Sequence, residues 1–243
     1  FQNIVNLQQK IYSGKVYDIR VKYHPESITC TEEHPFYIRH KDSKGFSKPE
    51  WKIASQLTMN DYIGMVINTN NNIPSFTFNK KINKFKMETI NIQLDQPDQW
   101  FMMGYFIGDG WIEETLKKNG NCAHKIRFSF HIDDNYSLDR IKNVLPITDK
   151  KSNQGKCTKY GCADVVWFNI LKLFGKYAHN KYIPEWIHNA PSPLIQEFIN
   201  GYMASDGTIC QNGSHKITTV SYHLAYGLQR LYLKMGHLVS VTK

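Results

Sequence analysis

The chain has 243 residues, of which 41% are hydrophobic, with a net charge of +9 and a pI of about 9.2. That length buries a real core, and the apolar share excludes a disordered chain. No apolar run approaches the roughly 18 residues of a membrane span, and the opening FQNIVNLQQK carries no secretion signal. The basic balance favours a polyanionic partner such as DNA or RNA. The cysteines, Cys30, Cys122, Cys157, Cys162 and Cys210, are odd in number and scattered, which argues against a disulfide framework. Cys157 and Cys162 lack a second pair at zinc-site spacing.

Residues 1–67 read as β-rich. KVYDIRVKY and SITCTEEHPFYIRH alternate apolar and polar residues, HPES is a turn between them and HKDSKGFSKPE is a loop. WKIASQLTMNDYIGMVI predicts a short helical turn over 53–57 and then a strand. The Asn-rich NTNNN at 68–72 reads as a boundary, and 68–96 as a linker. Its lysines Lys80, Lys81, Lys84 and Lys86 suit a solvated connector, or alternatively a DNA-backbone contact.

From Pro97 the chain repeats itself loosely. GYFIGDG (104–110) and GYMASDG (201–207) each end an apolar run on Asp-Gly. Pro97 and Pro193 fit the first turn of a helix, and Ser192 an N-cap. Gly110 and Gly207 fit the position past a helix where φ turns positive. Each helix then spans about 13 residues, roughly 20 Å. Gly104 and Gly108 share one helix face, as do Gly201 and Ser205. Such faces let two helices approach more closely than the usual spacing of about 8–10 Å. Pairing them would set Asp109 beside Asp206. Two acids at helix C-termini repel each other and the helix dipole unless a cation intervenes. Mg²⁺ (or Mn²⁺), an oxygen-seeking ion that needs only one or two carboxylates plus phosphate, suits that arrangement.

HKIRFSFH and HKITTVSYH read as strands after the two helices, and YSLDRIKNVL and HLAYGLQRLYLKMG as amphipathic helices. ADVVWFNI reads as a further strand, LKLFGKYA as a helix. The second repeat reaches Lys243 before a counterpart of 163–187, so it reads as incomplete.

MMGYFIGDG and INGYMASDG resemble the paired dodecapeptide motifs of LAGLIDADG homing endonucleases, with Ile107 and Ala204 at the variable inner acid position. NKYIPEWI resembles the Lys-x-Ile-Pro element of the endonucleases carried by inteins, which implies a cleavage role for Lys181. ITCTEEHPFYI resembles the Thr-x-x-His block of the intein Hint fold, and implies that Thr31 and His34 assist an acyl shift. The resemblance covers about 15–67 and 97–243. It implies an α+β chain with a partial Hint-like segment at 1–67. Residues 97–243 become a pseudo-symmetric endonuclease of two αββ-type repeats, 97–190 and 191–243.

On that reading Asp109 and Asp206 hold the metal and, with Lys181, carry catalysis. The strands after each helix meet DNA through Lys125, Arg127, Ser129 and His131, with Arg127 as a guanine reader, and through Lys216 and Thr218. The partners are double-stranded DNA and, in a parent chain, a host protein. No membrane is involved, and the expectation is an intracellular monomer in a DNA-containing compartment such as the nucleus. The termini, Phe1 and SVTK, lack the junction residues that splicing needs, so splicing is expected of a parent protein rather than of this chain. The alternatives are a splicing protein with a relic endonuclease and a DNA-binding module that no longer cleaves.

Overall fold

The computed structural model describes residues 6, 8–24, 27–81, 86–116, 120 and 122–242, without the side chains of 80, 81 and 149–154. Lys84 and the side chains of Lys80 and Lys81 therefore lie outside the described residues. The fold is α+β, in two compact units, Phe1–Val66 with Ser240–Lys243, and Ile67–Val239.

The first unit is built of short strands. β1 (Val16–Ile19) pairs antiparallel with β2 (Ile28–Thr31). β3 (Pro35–Asp42) pairs with β4 (Gly45–Phe46), β5 (Glu50–Ile53) and β6 (Asp61–Ile63). The segment expected as a loop after His40 is thus a β3–β4 hairpin that turns at Ser43 and Lys44, with Gly45 at φ +118° opening β4 just past the turn. A single helical turn at Ala54–Gln56 precedes β6. Alternation along β3 buries Phe36 and Ile38 with Ala54 in a small core.

The buried Asp61 carboxylate ties this unit together. It accepts from Lys52 Nζ at 2.8 Å and the Thr58 amide at 2.7 Å, and lies 2.9 Å from His40 Nδ1. Burial alone would raise its pKa, but the hydrogen bonds from Lys52, His40 and Thr58 outweigh burial and hold it far below the usual carboxylate range.

The second unit begins at Ile67 and takes in the whole segment 68–96 expected to be a linker. β7 (Ser75–Lys81) and β8 (Met87–Gln93) form an antiparallel hairpin there, and Phe76, Phe78 and Ile92 pack on the main core. The Asn-rich stretch before it is anchored rather than loose. Asn68 Nδ2 donates to His188 O at 3.1 Å and to Asn189 Oδ1 at 2.8 Å, and the Asn72 amide donates to Asn189 O at 2.8 Å.

Two series follow with the same opening order. The first runs α1 (Pro97–Asp109), β9 (Gly110–Leu116), β10 (Cys122–His131), α2 (Asn135–Lys142), β11 (Asp149–Gln154), β12 (Cys157–Cys162) and α3 (Val165–Lys172). After the short α4 (Glu185–His188), the second runs α5 (Ser192–Asp206), β13 (Gly207–Ile209), β14 (His215–Ile217) and α6 (Tyr222–Lys234). The first sheet has the order β11-β12-β10-β9, all antiparallel, and the second holds β13 and β14. Ile126, Phe128 and Phe130 alternate along β10 onto one face and join the core with Trp100, Phe106, Ile195 and Phe198 from the helices. Each fully buried side chain of this kind contributes roughly 1.5–3 kcal/mol.

Several elements differ from expectation. ADVVWFNI is not a strand but the start of α3. Asp164 caps it by accepting from the Trp167 amide at 2.9 Å, and Trp167, Phe168, Ile170 and Leu171 are buried at helical spacing. α3 ends at Lys172, so most of the helix expected at LKLFGKYA is absent. The predicted strand HKITTVSYH shrinks to His215–Ile217, because Ser221 already caps α6 through the Leu224 amide at 3.2 Å. Ser192 is the first residue of α5 and Pro191 its N-cap. Gly110 and Gly207 keep negative φ, −110° and −86°, because the chain passes from helix directly into strand. Their lack of a side chain serves close approach instead. A Cβ at Gly110 would lie 2.7 Å from the Phe106 Cα, and one at Gly207 would lie 2.6 Å from the Met203 Cα.

Candidate active site

The site grows from a helix seam. α1 starts well because Pro97 opens it and Gln99 Oε1 accepts from the Gln96 amide at 3.1 Å. α1 and α5 pack through their small residues with a reciprocal geometry. A Cβ at Gly104 would sit 1.9 Å from Phe198 O and 2.9 Å from the Tyr202 amide. A Cβ at Gly201 would sit 1.9 Å from Phe101 O and 2.9 Å from the Tyr105 amide. The two glycines are therefore the same position used twice about a pseudo-twofold axis. Further along, a Cβ at Gly108 would lie 2.0 Å from Ser205 Oγ and 3.1 Å from Asp206 Cγ. The seam stays tight to the last turn, which brings Asp206 against the end of α1.

The electrostatics agree with that proximity. The Asp109 carboxyl is pushed up to about 6 by partial burial and then by the Asp206 charge, with Lys181 pulling the other way and Asp134 adding to the rise. Asp206 is more exposed, and its partial desolvation also raises it, again offset by Lys181.

Lys181 reaches the same place from the connection between the repeats. Gly175, at φ +87°, turns the chain after α3, and a Cβ there would lie 2.1 Å from Asn180 O. The Tyr182 amide closes the turn on Phe174 O at 3.0 Å. The Lys181 ammonium then donates to the carbonyls of Ile107, Gly108 (3.2 Å) and Gly110 (3.2 Å) at the end of α1. Burial lowers its pKa, and Asp206 and Asp109 counter that. The structure thus brings Asp109, Asp206 and Lys181 together.

Among the described residues no group of three or more His, Cys, Asp or Glu side chains is arranged to hold a metal. The donors at the seam nevertheless fit a hard dication. They are two carboxylates at one end of the seam, Asp109 raised by burial and then by the Asp206 charge, and Mg²⁺ needs no more protein ligands than that.

The expected DNA-facing residues divide. Lys125, Arg127, Ser129 and His131 alternate with the core residues of β10, so they share its outer face. His131 is exposed, Lys125 and Ser129 are half-buried, and Lys216 and Thr218 are exposed. Arg127 is a correction: only 2% of it is exposed. Its guanidinium Nε lies 3.4 Å from Glu113 Oε2, and Gly161 leaves it room, since a Cβ there would meet the Arg127 Cδ at 2.7 Å. Arg127 braces the sheet and presents no surface to a guanine. Sequence reading missed two neighbours on that face, Trp111 and Lys159, whose ammonium lies 5.9 Å from the Trp111 ring centre. Lys159 lies on the unpredicted β12, opposite Ser129, and finding that strand would have exposed it.

Asp134 is a third acid near the seam. It caps α2 by accepting from the Ser137 amide at 3.1 Å, and the Tyr105 hydroxyl reaches it at 3.4 Å. In the first unit Thr31 ends β2, and the His34 amide donates to Thr31 O at 3.2 Å. The exposed His34 ring stands edge-on to Phe36 at 5.2 Å.

Comparison with known proteins adds to this geometry. Over 241 residues the chain is 24% identical to a probable translation initiation factor of Methanocaldococcus jannaschii, covering 95% of this chain and 20% of that protein. Over 165 residues it is 28% identical to a ribonucleoside-diphosphate reductase alpha subunit of Bacillus subtilis, covering 59% of this chain and 15% of that one. The chain spans about a fifth or less of the length of these relatives. A crystal structure of I-DmoI in complex with DNA and Mn aligns with a TM-score of 0.35 at 12% identity, covering 46% of this chain and 63% of that one. The family model described as a LAGLIDADG-like domain matches residues 193–243, the segment that begins at the second residue of α5. The similarity to a LAGLIDADG-like domain thus falls on the second repeat, from α5 to the end of the sequence.

Proposed function

We propose that this chain is a site-specific double-strand DNA endonuclease that hydrolyses phosphodiester bonds with a divalent metal ion. The observation that carries the proposal is the reciprocal glycine seam, which sets Asp109 and Asp206 at one end of α1 and α5 with the Lys181 ammonium beside them. Bound there, Mg²⁺ or Mn²⁺ would supply Lewis acidity at the scissile phosphodiester. Asp109 and Asp206 supply the oxygen donors that hold it. Lys181 keeps a positive charge at the site and offsets the charge that builds on phosphate. Lys125, His131, Lys159, Lys216 and Thr218 supply backbone and groove contacts to the duplex, and the net charge of +9 draws it in.

The host context extends the proposal. The same chain matches a small share of an initiation factor and a small share of a reductase subunit, two proteins with unlike names. A segment shared in that way behaves as an inserted module, which supports the intein reading. In that reading Thr31 and His34, joined at one turn, assist the acyl shift of a parent protein whose flanking host segments are its partners.

Linearisation of a plasmid bearing the uninterrupted insertion site of the host gene tests the nuclease. Cleavage with Mg²⁺ is expected, together with its loss in Asp109→Asn and Asp206→Asn proteins that still bind the DNA. Binding without cleavage by the wild-type chain, with every divalent ion tried, would overturn the proposal in favour of a binding module.

A further inference from the structure

Lys181 is more constrained than a mobile catalytic lysine. An ammonium has three N–H donors and no acceptor. Three carbonyls at the end of α1, those of Ile107, Gly108 and Gly110, accept from it. These belong to the groups a helix terminus leaves without intrahelical partners, at the negative end of the helix dipole. With all three hydrogens engaged, the side chain has no donor left to give to a phosphate and no lone pair with which to take a proton from water.

The backbone of the same residue is held from the other repeat. Ser221, 1% exposed, donates its hydroxyl to Lys181 O at 2.5 Å. The Ser221 Oγ in turn accepts from the Leu224 amide at 3.2 Å, which makes it the N-cap of α6. A hydroxyl has one hydrogen, and here it is spent on Lys181. Ser221 thus fixes the first repeat's lysine against the first turn of the second repeat's last helix.

We infer that Lys181 acts as an immobilised ammonium cap on α1, and that Ser221 is the positioning residue that holds it there. The inference rests on the nuclease reading for its consequence in cleavage, but not for its structural content. Lys181 works by keeping the end of α1 and its Asp109 in place and by lending fixed charge. Ser221 couples that arrangement to the second repeat, so the two repeats set one site together.

The test measures solvent exchange of lysine ammonium hydrogens by nitrogen-15 NMR in the full chain, with the Lys181 signal assigned by its loss in Lys181→Arg. Exchange at Lys181 slower than at the exposed Lys216 is expected. In Ser221→Ala it should accelerate by about ten- to a hundredfold, the equilibrium equivalent of a lost buried hydrogen bond. Ser221→Thr, which keeps the hydroxyl, should restore the slow rate. On the plasmid substrate, Ser221→Ala should lower the single-turnover rate about tenfold while DNA binding is retained, and Ser221→Thr should recover it. A Lys181 ammonium that exchanges as fast as Lys216 in the wild type overturns the inference, whether or not Ser221→Ala folds. So does slow exchange that Ser221→Ala leaves unchanged. A wild-type chain that cuts no DNA yet shows the protected ammonium defeats the nuclease reading and leaves the cap standing.

Discussion

Asp109 closes a helix of 13 residues and leads into strands of 7 and 10, whereas Asp206 closes a helix of 15 and leads into two strands of 3. The seam between the helices is nearly symmetric, with Gly104 facing Phe198 and Tyr202 as Gly201 faces Phe101 and Tyr105. The surroundings are not. The first acid is half-buried and pushed up to about 6, while the second is exposed. Small residues in the seam decide that the acids meet, and the layers built outside each helix decide how acidic each one is.

The seam half of that comparison should break hardest. Gly104→Ala and Gly201→Ala each drive a methyl to 1.9 Å from a backbone oxygen of the opposite helix, where no side chain can yield. Each should cost about 3 kcal/mol or more, at the top of the usual range for overpacking. Thermal unfolding should show the two losses equal, and a tolerated alanine at either would refute the close approach. The acids come next. Asp109→Asn and Asp206→Asn should each lower the single-turnover cleavage rate by about 10²–10³-fold, the size seen when one group stabilising transition-state charge is removed.

The connection between the repeats offers a pH handle. His188 is 2% exposed, and burial, then the charges of Arg230 and Lys234, lowers its pKa from 6.5 to about 3. The folded state keeps it neutral while the unfolded chain protonates it. Its contribution is therefore complete above 6.5 and is lost as pH falls from there toward 3. That loss should reach about 2–4 kcal/mol, and denaturant melts of His188→Gln should show a flatter pH profile.

Asp109 runs the opposite way. Its folded pKa of about 6 lies above the ordinary 3.8, so the metal-free protein loses stability as pH rises through that interval. After solvent screening the loss should be about 1–2 kcal/mol. Asp109→Asn should remove it and melt higher than wild type at neutral pH while inactive, and Asp206→Asn should gain less. Equal gains would deny the asymmetry between the acids. The smallest effects lie on the sheets. Lys125→Ala and Lys216→Ala should each reduce the salt slope of DNA binding by about one, without changing sequence preference.

The helices and their pairing were legible because they rest on local signals: Pro97, the apolar run, the terminal Asp-Gly and two glycines four residues apart. What escaped depended on tertiary context. β11 and β12 lie in the polar stretch DKKSNQGKCTKYGC, which lacks a clear apolar alternation, and Gly155 at φ +63° makes the turn between them. α3 read as a strand because Val165 and Val166 favour one, yet Asp164 caps a helix whose apolar face fits the core. The β7–β8 hairpin looked like a linker because its lysines and asparagines hide Phe76, Phe78 and Ile92. Arg127 lies on the expected face, but Glu113 and the space over Gly161 bury it, and neither is visible along the strand itself. Likewise the resemblance carried by NKYIPEWI implied a role for Lys181 but neither its three carbonyl partners nor Ser221.

The central claim is that Asp109 and Asp206 jointly hold a divalent ion at the end of the seam. Anomalous scattering from crystals of the chain bound to its target DNA with Mn²⁺ measures this directly. The account predicts density within about 2.0–2.2 Å of carboxylate oxygens from both residues. Manganese bound elsewhere, with the two carboxylates turned away from it and from each other, would contradict the account.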